Sequence, residues 1–171
     1  KMAVVLSEDI ERVVSVRPSV VNEAWDGAMV VLATVEGMGN LPVEFQIDSR
    51  DIAGEWERYK IVTRGKRIFV VGSDARGLAY GVFHLSEKIG VSPWYWWADV
   101  PVKKKKLSLK ENYISQSPAI KYRGIFINDE DWGLFTWSSR NFEKDLGDIG
   151  PKTYDKVCEL LLRLKGNMLA P

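Results

Sequence analysis

Two hydrophobic periods compete along this chain, and where each one dominates decides which elements are expected. Ala3 to Leu6 is a short apolar run closed by Ser7, Glu8 and Asp9, which predicts a first strand. Asp9 to Val16 is too short for a full crossover helix, and Pro18 turns Val20, Val21 and Asn22 toward extended backbone. Met29 to Val35 is apolar but for Thr34 and predicts a strand buried on both faces. Glu36 to Asn40, with Gly37 and Gly39, predicts a flexible turn, and Leu41 to Asp48 an irregular connection. From Trp56 to Thr63 the positions Glu57, Tyr59, Ile61 and Thr63 alternate with Trp56, Arg58, Lys60 and Val62, the pattern of a strand with one better-covered face. Arg64-Gly65-Lys66 is the turn into a return strand at Ile68 to Val71.

The period then lengthens. Gly72-Ser73-Asp74 breaks the strand, and Ser73 or Asp74 can cap a helix on which Leu78, Val82, Leu85 and Ile89 share a face and Gly90 is the stop. Ala75, Gly77, Ala79 and Gly81 predict close packing of that helix on a sheet. Lys103 to Lys106 reads as a solvated strand edge, followed by an extended linker through Leu107 to Leu109 and Tyr113 to Ile114 that Pro118 ends. Tyr122 and Ile125 to Ile127 predict a short buried strand. A loop poor in apolar residues covers Gly133 to Ile149, and Pro151 opens a helix with Tyr154, Val157, Cys158, Leu161 and Leu164 on one face. Gly166 stops it, and Asn167 to Leu169 starts another strand.

Strand, loop, helix, strand is one β/α repeat, and a single repeat cannot cover both its strand and its leucine-rich helix. The expected fold is therefore α/β, with a small N-terminal α/β domain and linker over residues 1–117 and the incomplete opening unit of a larger domain over residues 118–171.

Composition narrows the chemistry. The 171 residues carry 24 Lys and Arg against 23 Asp and Glu, so no overall field points to nucleic acid or to an anionic membrane. Cys158 is the single cysteine and His84 the single histidine, which rules out an intrachain disulfide, a cysteine-rich zinc site or a histidine metal cluster. Cys158 lies in an apolar helical pattern and reads as a core residue. No apolar run approaches the roughly 20 residues that span a bilayer. Lys1 to Glu8 makes a poor signal peptide. Gly72, Gly77 and Gly81 are too widely spaced for a dinucleotide fingerprint.

Two stretches carry candidate chemistry. Lys121 to Trp132 delivers Asn128, Asp129, Glu130 and Asp131 in immediate succession at the end of an apolar strand. Adjacent carboxylates there need donors, an opposite charge or water. They either line a polar ligand site or form a solvated loop that caps the next element; they lack the spaced oxygen ligands of a calcium loop. Ser92 to Pro101 contains Trp94, Tyr95, Trp96 and Trp97 in a row, which cannot all enter one core from one short element. Such rings either join two domains or stack on the C–H faces of a sugar, with Asp99 as a hydroxyl acceptor.

From Gly90 onward the chain resembles the xylan α-1,2-glucuronidases of glycoside hydrolase family 115. The resemblance lies in Trp94 to Pro101, in Tyr122 to Trp132, in Asp148 to Tyr154 and in Glu159 to Lys165, with Gly65 to Gly90 similar to the strand and helix of the preceding accessory domain. It implies a β-hexosaminidase domain 2-like accessory domain followed by the first β/α unit of a (β/α)8 barrel. The implied reaction is release of glucuronic acid or 4-O-methyl-glucuronic acid from glucuronoxylan or aldouronic acids with inversion, with no cofactor and no metal. By resemblance Asn128, Asp129, Glu130, Asp131, Trp132 and Trp137 are the substrate-binding candidates. Asn128 and the acids would hold hydroxyls or position water, and Trp132 or Trp137 would stack on the ring.

The catalytic acid and base are expected beyond Pro171, so the 171-residue piece alone is expected to be inactive. No nucleic-acid or membrane partner is expected; a homodimer and a secreted or periplasmic location are compatible with the full-length protein. The interval before Val20 is short for the strand and helix that open the family's first domain, and Ala170 stands where an aromatic is expected. The competing reading is a non-catalytic carbohydrate-binding module built on Trp94, Trp96 and Trp97.

Overall fold

The computed structural model describes residues 1–23, 26–129 and 133–170. It divides into two compact units, Lys1–Ala119 and Ile120–Pro171. The first unit opens with helix α1 (Met2–Val14), not with a strand. Leu6, Ile10, Val13 and Val14 recur at helical spacing across the whole segment, and Leu6 and Val13 are buried while Val4 is exposed. That longer period overrides the four-residue apolar run, which by itself fits either element. Ser15 ends α1 in the left-handed conformation (φ 63°), its N–H donating to Glu11 O.

Strands β1 (Met29–Thr34), β2 (Tyr59–Arg64), β3 (Arg67–Gly72) and β4 (Tyr113–Ile114) form one sheet in the order β1-β3-β2-β4. β1 runs parallel to β3, with Met29 opposite Arg67; β2 is antiparallel to β3 and to β4. β1 is thus an edge strand, and only Ala33 on it is buried, so the expected two-sided burial is not found. The linker expectation also fails in part, because Tyr113 and Ile114 close the opposite edge of this sheet. Lys103 to Lys106 lie outside any strand. The turn expected over 36–40 begins as helix α2 (Val35–Met38), where Thr34 Oγ1 accepts from Gly37 N at 3.1 Å, and Val43–Phe45 makes a 3-10 turn.

The β2-β3 hairpin turns through Gly65, whose φ of 61° favours glycine. Beyond β3, Asp74 caps helix α3 (Ala75–Ile89), Oδ1 accepting from Gly77 N at 2.7 Å and Oδ2 from Glu57 N at 2.8 Å. Gly77 lets α3 sit on β2: a Cβ there would lie 2.1 Å from Arg58 O. Phe69, Val70 and Val71 from β3, Ile61 from β2 and Tyr80, Val82, Phe83 and Leu85 from α3 are fully or almost fully buried. A neighbouring cluster joins Val13, Ile89 and Val91 with Tyr95, Val102 and Leu107 packed against it.

The second unit contains β5 (Gly124–Phe126), α4 (Gly133–Trp137), a π-helical turn (Ser138–Phe142), α5 (Pro151–Arg163) and β6 (Met168–Ala170). The loop expected from Gly133 is therefore helical at its start. β5 and β6 pair in parallel, Gly124 opposite Met168 and Phe126 opposite Ala170. Arg123 locks their starts together: Nε and Nη2 donate to Lys165 O at 3.0 and 2.9 Å, and Asn167 Oδ1 accepts from Arg123 N.

The expected burial of β5 is not found. Ile125 and Ile127 are half-buried, whereas Tyr122 is 63% and Phe126 75% exposed. Successive strand residues point to opposite faces, and one of the two faces of this short pair is left uncovered. Cys158 is exposed, not core, because the buried stripe of α5 runs through Thr153, Val157, Leu160 and Leu161. Leu164 is exposed as well.

Candidate functional site

The C-terminal end of β5 and the first turn of α5 build the candidate site. Ile127 N donates to Ala170 O at 2.8 Å, which carries the parallel pairing one residue past β5 before the polar residues begin. Asn128 follows with an exposed side chain, and Asp129 is half-buried. By strand alternation Asp129 shares a side with Ile125 and Ile127. The Tyr154 hydroxyl donates to Asp129 Oδ2.

Tyr154 reaches that acid because of its place in α5. Gly150 is the N-cap, Pro151 supplies the first helical position without needing an N–H, and Tyr154 stands one turn further on. Helical side chains lean toward their own N-terminus, and in a β/α unit that end of the helix lies at the C-terminal end of the strand. The hydrogen bond to Asp129 is the first cause that holds the Tyr154 hydroxyl above its ordinary pKa; burial and the nearby negative charge add to it. The bond leaves Asp129 Oδ2 as the acceptor and the Tyr154 hydroxyl as the donor.

Glu143 organises the helix start from below. It is buried, and its carboxylate accepts from Gly150 N at 3.0 Å, Lys152 N at 3.2 Å, Thr153 N at 2.8 Å and Thr153 Oγ1 at 2.7 Å. Ser138 Oγ, 2.8 Å from Thr153 Oγ1 and donating to Asp148 O, extends the network. Burial pushes the Glu143 carboxyl up, but the Thr153 hydroxyl and the backbone N–H groups of Thr153, Lys152 and Gly150 outweigh it and hold the group below its ordinary pKa. A carboxylate at this place also suits the positive end of the α5 dipole.

Trp137, at the end of α4, stacks on Phe142 with ring centroids 5.2 Å apart and planes 20° from parallel. One of its faces is thereby covered by a neighbouring ring. Glu130, Asp131 and Trp132 lie outside the described residues. Among the described residues no group of His, Cys, Asp and Glu is arranged to hold a metal ion.

Tyr154 and Glu143 were not expected at the site. Tyr154 was read as part of the apolar face of its helix, although its position in the Asp148 to Tyr154 stretch, just after Gly150-Pro151, marks it as a first-turn residue. Glu143 offers no such signal, since the capping box places an acid inside the helix and this acid comes seven residues before Gly150.

The family model for glycosyl hydrolase family 115 matches residues 115–171. A solved structure, described as a novel family GH115 4-O-methyl-alpha-glucuronidase, BtGH115A, with specificity for decorated arabinogalactans, aligns with a TM-score of 0.81 at 37% identity. The alignment covers 96% of this chain and 22% of that one, so the chain spans about a fifth of the length of the enzyme it matches. No curated protein matches the chain significantly. The family match falls on the unit that carries Asp129 and Tyr154, and the structural match extends over nearly all 171 residues. On these findings the chain, a mixed α/β protein, belongs to glycosyl hydrolase family 115.

Proposed function

We propose that the chain is part of an inverting glycoside hydrolase that removes α-1,2-linked glucuronic acid or its 4-O-methyl ether from glucuronoxylan. In this reading residues 118–171 are the first β/α unit of a (β/α)8 barrel, and residues 1–117 are a β-hexosaminidase domain 2-like accessory domain with its linker. The observation that carries it is the placement of Asp129. It stands just past the C-terminal end of a parallel strand, fixed by a tyrosine from the first turn of the following helix, and a solved structure similar to this chain is described as a glucuronidase. Barrel active sites are built at that end of the strands.

Asp129 then binds sugar hydroxyls, Asn128 donates and accepts beside it, and Glu130, Asp131, Trp132 and Trp137 complete the substrate-binding set. Inversion needs a proton donor and a water-activating base about 6.5 to 9.5 Å apart. The described part of the site offers no such pair: Glu143 is committed to the helix start and Asp129 to Tyr154. Both catalytic groups are assigned to later barrel strands.

The test uses the longer parent protein. Asp129→Asn should lower turnover on aldouronic acids about 10- to 100-fold, the loss expected when a charged hydrogen bond is removed. Wild-type turnover in that variant would remove Asp129 from the site. Because the solved relative is described as specific for decorated arabinogalactans, glucuronic acid release from arabinogalactan and from glucuronoxylan should be measured side by side. Faster release from glucuronoxylan supports the xylan assignment, and faster release from arabinogalactan replaces it.

A further inference from the structure

A groove of about 760 Å³ runs between the last turn of α1 and the segment that follows the aromatic run. Its lining includes the apolar side chains of Ile10, Val13, Val14 and Leu107, together with Lys104, Lys105 and Lys106. The lysine segment is fastened down: Lys105 N donates to Val13 O at 3.0 Å, and Lys104 Nζ reaches Glu11 O at 3.4 Å. Lys105 also stretches toward the end of α3, where a side chain on Gly90 would meet its Nζ at 3.4 Å.

Carbonyls at helix C-termini thus account for Lys104 and favour Lys105. They leave Lys103 and Lys106 unexplained. Both are exposed, and none of the ion pairs among the described residues involves any of the four lysines. Four adjacent ammonium groups repel one another, so the strap is a concentrated positive patch on a chain whose charges nearly balance.

Beside the strap lies the aromatic turn. Tyr95 packs in the same cluster as Val102 and Leu107, with the Arg12 guanidinium 4.7 Å above its ring. Trp94 remains 44% exposed. Exposed cations and an exposed indole on one short stretch of chain are complementary to a polymer that alternates sugar C–H faces with carboxylates.

We propose that Lys103 and Lys106, with Trp94, form an auxiliary surface of the first unit that binds the uronate-bearing polysaccharide. The inference rests on the glucuronidase reading for the identity of its ligand. It supplies attraction for the polymer, whose many carboxylates can engage the strap while one is cleaved, and none for a short oligosaccharide that fills only the site.

The experiment compares the full-length protein with the Lys103→Glu/Lys106→Glu double variant and with Trp94→Ala. For polymeric glucuronoxylan, KM should rise roughly three- to tenfold in the double variant, in line with the loss of a few exposed ion pairs, and the difference should shrink at high salt. Both kcat and the constants for aldouronic acids should stay at wild-type values. Affinity electrophoresis gives a readout independent of turnover: glucuronoxylan in the gel should retard the wild type more than either variant, and carboxyl-reduced xylan should abolish the difference between wild type and double variant. Equal polymer KM in wild type and double variant, alongside normal aldouronic acid turnover, overturns the auxiliary surface. If the wild type fails to cleave aldouronic acids, the glucuronidase reading fails, and equal retardation in the gel separately overturns the surface.

Discussion

Asp129, Tyr154 and Glu143 divide the polar work around the start of α5. Tyr154 sets the orientation of the acid that faces the proposed sugar, and Glu143 fixes the helix turn from which Tyr154 projects. Because the Glu143 carboxyl is held below its ordinary pKa, it stabilises the folded state at and above the usual glutamate range, and that contribution is lost as pH falls through its folded value. Glu143→Gln in the full-length protein should therefore lower the melting temperature at neutral pH and flatten its decline in acid. Thermal melts between neutral and acidic pH check this, and an unchanged neutral melt would deny the cap its role. At this scale the sequence was partly legible. The crowding of Asn128 to Asp131 announced a polar site, but Tyr154 looked like one more apolar stripe residue until its distance from Pro151 is read as one helical turn. Glu143 was not legible, because it reaches α5 from outside the helix.

Among the elements, those with an unambiguous period were the readable ones. The hairpin of β2 and β3, the Asp74-capped α3 with Gly90 at its end, and the β5, α5, β6 order all follow from spacing and punctuation. α1 did not, since Ala3 to Leu6 fits a strand until Ile10 and Val13 are counted with it. Sheet order is a non-local property, which is why the apolar run of β1 predicts burial on both faces although the strand stands at an edge, and why Tyr113 to Ile114 reads as linker although it pairs with β2.

Close approach is equally hidden until partners are known. A Cβ on Gly124 would fall 2.2 Å from Met168 O, a backbone atom that moves only if β6 moves. Gly124→Ala should cost about 1–3 kcal/mol, as overpacking does. Gly39→Ala, where nothing lies within 4 Å, should be neutral or gain about 0.4–1 kcal/mol through the unfolded state. Denaturant titration of the two full-length variants separates them, and equal stabilities would mean that the β5-β6 contact is looser than described.

For the whole molecule, the second unit leaves Phe126 and Met168 exposed on a two-stranded sheet and Tyr122 exposed just before it. Apolar residues left uncovered by their own unit are surfaces for further structure, and in the proposed barrel the neighbouring strands supply it. The chain covers about a fifth of the glucuronidase it matches, so the proposed reaction is to be tested on a longer protein. The most direct test of the central claim follows that protein's reaction on an aldouronic acid by proton NMR from the first turnover. The account predicts that the β-anomer of the released glucuronic acid appears first and then mutarotates. Initial release of the α-anomer, or no release at all, would contradict it.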